Sequence, residues 1–90
     1  MAAARSTTRL LPLDAKTRHA FGFIADAVTE GGTPTFEDIQ IGLGLSSRGV
    51  AQKRVNTLIA LGWLTRRRGA LALTKLAAAR RAEQEAQEAA

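Results

Sequence analysis

No cysteine occurs among the 90 residues, so disulfides and thiolate zinc sites are excluded. Histidine occurs once, as His19, and leaves a metal centre short of ligands. A Ser-His-Asp triad assembled around it would have no nucleophile placed beside it in a cleft. Gly42-Leu43-Gly44 does not match a phosphate-cradling loop and reads as a helix end. No enzyme, cofactor or metal is therefore expected. No apolar run approaches the ~20 residues that span a bilayer. The segment from Met1 to Pro12 lacks the apolar centre of a secretory signal, so a cytoplasmic location is expected, without a membrane partner. One absence says more than these. From Ile39 to Ala82 there is no Asp or Glu, while the stretch carries Arg48, Lys53, Arg54, Arg66, Arg67, Arg68, Lys75, Arg80 and Arg81.

Soluble surfaces ordinarily mix the two signs, and a long one-signed stretch creates a field that something else must neutralise. The net charge of +5 understates the asymmetry. Residues 1–45 carry four basic and five acidic side chains, residues 46–68 six basic and none acidic, and the last seventeen three of each. A local patch of this kind points to one oriented anionic partner. Ninety residues make one small domain burying roughly 60–65% of its unfolded surface, so a deep enzymatic cleft is not expected.

Along the chain, residues 1–12 read as a flexible basic arm with Arg5 and Arg9. Asp14 is placed to cap a first helix, in which Phe21, Ile24, Ala25 and Val28 form one apolar stripe. Gly31-Gly32 ends it. Thr35 and Asp38 form a capping-box-like pair that opens a short second helix, with Phe36, Ile39 and Leu43 facing inward. Leu45-Ser46-Ser47 makes the turn. Ser47 caps a third helix, Ser47–Leu61, whose buried stripe is Ala51, Val55, Leu58 and Ile59 and which Gly62 stops. Trp63–Thr65 and Ala70–Leu73 read as short strands around a turn at Arg67-Arg68-Gly69. Trp63 is expected to close this hairpin against the first helix. Thr74 caps a fourth, Ala- and Glu-rich helix, expected to be ordered at its start and frayed at its end because no large apolar residue follows Leu76.

The predicted order is helix, helix, helix, hairpin: a mainly α (α+β) winged helix-turn-helix over residues 13–74, followed by a C-terminal helix or tail over 75–90. The run from Leu13 to Leu64 resembles the N-terminal DNA-binding domain of LexA-type repressors. The matching words are L-D-A-K-T-R-H-A-F-G-F-I-A-D-A-V, then G-G-T-P-T-F-E-D-I-Q-I-G-L-G-L, then S-x-x-x-A and L-I-A-L-G-W-L. The resemblance implies that the start of the third helix enters the major groove, with Ser47, Gly49, Val50, Gln52 and Lys53 at the contact. Gln52 and Lys53 stand where the family often has acidic residues, which implies a different preferred sequence. The hairpin is shorter and more basic than the family's. No counterpart of the family's self-cleaving protease domain occurs in these residues, so autoproteolysis is not among the expectations.

The side chains fit this chemistry. Each base pair presents a distinct donor and acceptor pattern in the major groove. Arg48 and Lys53 can donate to guanine, while Gln52 and Asn56 can pair with adenine or reach phosphates. Arg54, toward the side of the helix, reads as a phosphate clamp, and Ser46 and Ser47 as both caps and phosphate donors. Arg66, Arg67 and Arg68 are expected at the tip of the wing, on phosphates or in a minor groove. Double-stranded DNA is therefore the expected partner and transcriptional regulation the expected role. The alternatives are an architectural, nucleoid-associated binder of low specificity and a protein-interaction module. A homodimer or adjacent copies on DNA would add specificity, and the C-terminal helix could hold a further protein partner. The Lys75–Arg81 cations are offset by the glutamates that follow and do not count toward DNA binding.

Overall fold

Three apolar helical stripes and one short hairpin must share a single core, and that requirement organises the chain. The computed structural model describes residues 10–89, so the arm with Arg5 and Arg9 lies outside the described residues. Four helices and one hairpin follow in order: α1 (Ala15–Thr29), α2 (Phe36–Leu43), α3 (Arg48–Ala60), β1 (Leu64–Arg67), β2 (Ala70–Leu73) and α4 (Lys75–Ala89). This is a mainly α domain with a winged-helix-like topology. No helix among the described residues is long and apolar enough to cross a membrane.

Each helix begins where its cap predicts. The Asp14 carboxylate accepts the Thr17 N–H at 2.8 Å and sets the first turn of α1. At α2 the capping box is complete: Thr35 Oγ1 accepts the Asp38 N–H at 3.1 Å, and Asp38 accepts the Thr35 N–H at 3.0 Å. Ser47 caps α3 by accepting the Val50 N–H at 3.3 Å. The low helix propensity at Gly42 has a packing cause. A Cβ there would collide with the ring of Phe23 on α1, so this glycine lets the two helices close on each other.

The core is drawn from every element. Phe21, Ile24 and Ala25 of α1 meet Ile39 of α2, Ala51, Val55 and Leu58 of α3, Leu64 and Leu71 of the hairpin, and Ala77 of α4. Phe23, Val28, Phe36, Leu43, Ile59 and Trp63 are half-buried around it. Trp63 meets α1 edge-to-face, its ring centroid 5.1 Å from that of Phe21. Its indole N–H donates to the Leu11 carbonyl at 2.7 Å, and the Leu11 N–H donates to Leu61 O at 3.1 Å, which together pin the segment entering α1.

One expectation is corrected. The first strand begins at Leu64 rather than Trp63 and runs through Arg67. Arg66 pairs with Leu71 and Arg67 with Ala70, which leaves Arg68-Gly69 as a two-residue turn. Helix α4 spans Lys75–Ala89, following Thr74 as expected. Its docking residue is the fully buried Ala77, while Leu76 remains 42% exposed. Arg81, half-buried, forms an ion pair with Asp26 of α1 and lies 3.6 Å from Glu85 one turn on. The small Ala77 side chain lets α4 approach closely enough for that long-range pair, a tertiary contact no local pattern encodes. Thr74 fixes the helix start: its Oγ1 donates to Gly62 O at 2.7 Å and accepts the Ala77 N–H at 3.2 Å.

Leu58→Ala should cost about 2–5 kcal/mol, whereas Leu76→Ala should change stability by less than about 0.5 kcal/mol, both measured by denaturant unfolding. A comparable loss from Leu76→Ala would mean that α4 docks differently. The Asp14 carboxyl is held below its ordinary value of 3.8 by the Thr17 side chain and backbone N–H, with Arg54 and Lys16 adding favourable charge. Its contribution to stability is full above the ordinary value and is lost as pH falls through the lowered one. Thermal melts between neutral and acidic pH should show Asp14→Asn, which keeps a cap but cannot titrate, losing less stability than the parent chain.

Candidate nucleic-acid interface

The turn into α3 decides which of its faces is exposed. Gly44 adopts a left-handed conformation (φ +67°), and the Leu45 N–H returns to Gln40 O at 2.9 Å. The chain reverses there, and Ser46-Ser47 leads into α3 with Ala51, Val55 and Leu58 turned inward. Arg48, Gly49, Gln52, Lys53 and Asn56 are then all exposed, as their spacing predicts. Val50 is half-buried, while Ser46 and Ser47 are exposed. The capping bond at Ser47 is in place and leaves its hydroxyl at the surface.

Gly49 stands out on this face. A Cβ added there would meet only Ser47 Oγ, at an ordinary 3.6 Å, so nothing in the protein requires glycine. Glycine in a helix costs roughly 0.5–1 kcal/mol relative to alanine. The missing side chain makes room on the exposed side, at the end of α3 where a groove-inserted helix would approach bases and phosphates.

Arg54 is set apart from the other cations of α3. It is half-buried, and its charge acts on Asp14 at the start of α1, together with that of Lys16.

The hairpin divides the three arginines. Arg66 shares its face with Leu64 and lies across from Leu71. Its guanidinium sits 5.6 Å from the centroid of the Phe36 ring and donates to Gly69 O at 3.3 Å. Arg66 thereby braces the wing against the start of α2. Arg67 lies on the opposite face and is exposed. Arg68 occupies the first position of the turn with φ +53°, followed by Gly69 at +84°. Two successive positive φ values suit a two-residue hairpin, which favours Asn-Gly. Among the described residues Arg68 is the one non-glycine residue with positive φ. Its backbone is strained by roughly 1–2 kcal/mol, and its side chain stands at the outermost point of the wing. Beneath the wing an open cleft of about 510 Å³ is lined by Thr33, Pro34, Phe36, Arg66 and Arg68.

The structure thus places the α3 residues on one exposed helix face and Arg67 and Arg68 at the wing tip; Arg66 is exposed but lies over Phe36, and Arg54 is half-buried. Arg5 and Arg9 lie outside the described residues. Leu11, near the start of the described residues, is tied to Leu61 and Trp63 at the base of the hairpin. Among the described residues the ion pairs all involve Arg81, so the cations of α3 and the wing have no carboxylate within salt-bridge distance. His19 borders a shallow groove with Gly22, Phe23, Asp26, Gly42 and Leu43. No cluster of His, Asp and Glu among the described residues could hold a metal ion. No family model matches the chain, and no curated protein or solved structure matches it significantly.

Gly49→Ala and Arg68→Asn should each stabilise the fold by roughly 0.5–1 kcal/mol, the first through helix propensity and the second by relieving the turn. Thermal unfolding of the two variants checks this. A loss of stability at either site would mean that the glycine or the arginine serves packing instead.

Proposed function

We propose that this chain binds double-stranded DNA sequence-specifically and acts as a transcriptional regulator, with the start of α3 in the major groove and the wing on flanking phosphates or in the adjacent minor groove. The observation that carries the reading is the exposed face of α3 joined to a wing whose cations pair with no carboxylate among the described residues. Such a surface is completed by a polyanion. Two local features support it, because both lower stability while favouring display: the unneeded glycine at 49 and the strained arginine at 68. The resemblance of residues 13–64 to the DNA-binding domain of LexA-type repressors points the same way.

In this reading Arg48, Gln52, Lys53 and Asn56 meet base edges, and Gly49 allows close backbone approach. Ser46, Ser47, Arg67 and Arg68 hold phosphates or enter a narrow minor groove, and Arg5 and Arg9 follow the backbone. Arg66, exposed above Phe36, joins the wing contacts, and half-buried Arg54 serves as a phosphate clamp at the side of the helix. One winged helix reads few base pairs, so paired copies on DNA would raise specificity. The basic wing also favours a second reading, an architectural binder of low specificity.

Selection of bound duplexes from a random pool, followed by affinities at physiological salt, separates the two. Regulation calls for a preferred duplex bound roughly 10³-fold or more above random DNA, and a ratio near one leaves only the architectural role. Lys53→Ala or Gln52→Ala should change the preferred base at one or two positions. Arg67→Ala should weaken all duplexes alike and lower the salt slope by about one. Gly49→Ala should weaken binding despite its gain in stability. An acidic protein partner in place of DNA would leave all four variants without effect on duplex binding.

A further inference from the structure

A second basic site lies at the other end of the hairpin from the wing tip. There the first turns of α1, the segment before it, Trp63 and the middle of α4 enclose a cleft of about 490 Å³. Its walls include Leu13, Arg18, Phe21, Trp63, Arg80 and Gln84. A volume of this order suits a small organic molecule.

The cleft combines two kinds of wall. Phe21 and Trp63 supply an aromatic side, fixed edge-to-face at 5.1 Å and further held by the indole bond to Leu11 O. Guanidinium groups supply the other. Arg18 donates to Leu13 O at 3.2 Å, which occupies one of its five N–H groups. Arg80 has no hydrogen-bond or ion-pair partner among the described residues, whereas the charge of neighbouring Arg81 is met by Asp26 and Glu85. Arg81 lines the cleft as well, and among the described residues no Asp or Glu does. The Gln84 amide adds a neutral donor and acceptor at the rim.

We propose that this cleft binds a small aromatic carboxylate, its ring against Phe21 and Trp63 and its carboxylate between Arg18 and Arg80. A guanidinium fork matches a planar carboxylate through two parallel hydrogen bonds, and the aromatic pair matches a flat apolar body. Bare charge would serve phosphate equally well, but phosphate would leave the aromatic wall unused. The inference does not depend on DNA binding, because none of the cleft's residues belongs to the α3 face or the wing tip.

Trp63 is the sole tryptophan, so a labelled sample gives one indole N–H resonance at the centre of the site. Benzoate titrated into the full chain should move that resonance saturably, with a dissociation constant of about 1 mM or tighter. Benzamide and inorganic phosphate should bind at least about tenfold more weakly, as should benzoate to Arg80→Ala, with Arg80→Lys intermediate. Arg80 is exposed, so unchanged thermal unfolding of these variants separates lost binding from lost folding. The proposal is overturned by a linear response to benzoate, by equal binding of benzamide or phosphate, or by wild-type affinity in Arg80→Ala. Tighter binding of a short oligoglutamate than of benzoate would assign the cleft to an acidic protein segment and also overturn it.

Discussion

The joint at Gly62-Trp63 is the constraint on which the rest of the fold depends. Four connections converge there. The Trp63 N–H donates to Leu58 O at 2.9 Å and closes α3, while Trp63 O accepts the Thr74 N–H at 3.3 Å and closes the hairpin base. The indole reaches Leu11, and the ring meets Phe21. One residue therefore sets the angle between α3 and the wing and anchors both to α1. Thr74 adds a cap for α4 that is itself bonded to Gly62. A basic helix and a basic hairpin act as one surface only if their relative placement is fixed, and this joint fixes it.

Charge is sorted by element. Asp14, Asp26, Glu30, Glu37 and Asp38 lie on or beside α1 and α2, and the remaining acids follow Ala82. Apart from Arg54, whose charge acts on Asp14, the cations of α3 and the wing repel one another with no carboxylate within salt-bridge distance among the described residues. Propensity is set aside in the same region, by a glycine at 49 that packing does not require and an arginine at 68 in a conformation that favours glycine or asparagine. Departures from local preference concentrate where function overrides stability, and here they coincide with the acid-free stretch. Arg66 is the useful exception. Its guanidinium stacks on Phe36 and bonds Gly69, which steadies the tip that presents Arg68.

Much of the fold was legible because its determinants are local. Asp14, Thr35 and Ser47 cap the helices where their chemistry places them, and the apolar stripes of α1 and α3 predict their buried faces. The exposed side of α3 follows from the same periodicity. What escaped depends on distance in sequence. The Arg81–Asp26 pair joins residues 55 positions apart, and the burial of Ala77 in place of Leu76 depends on how closely α4 approaches. The three wing arginines look equivalent in sequence. Strand alternation separates them, setting Arg66 on the face that meets Phe36 while still exposed, Arg67 on the other face and Arg68 in the turn. The cleft between Arg18 and Arg80 likewise arises only when α4 folds back beside α1.

Backbone amide chemical shifts recorded with and without a selected duplex test the central claim most directly, because they locate the contact surface residue by residue. DNA binding through the acid-free face should shift Ser47, Gly49, Gln52, Lys53 and Asn56 together with Arg67, Arg68 and Gly69, and leave α4 beyond Arg81 unchanged. Shifts confined to α4 and the Arg18–Arg80 cleft, or none at all, would contradict it.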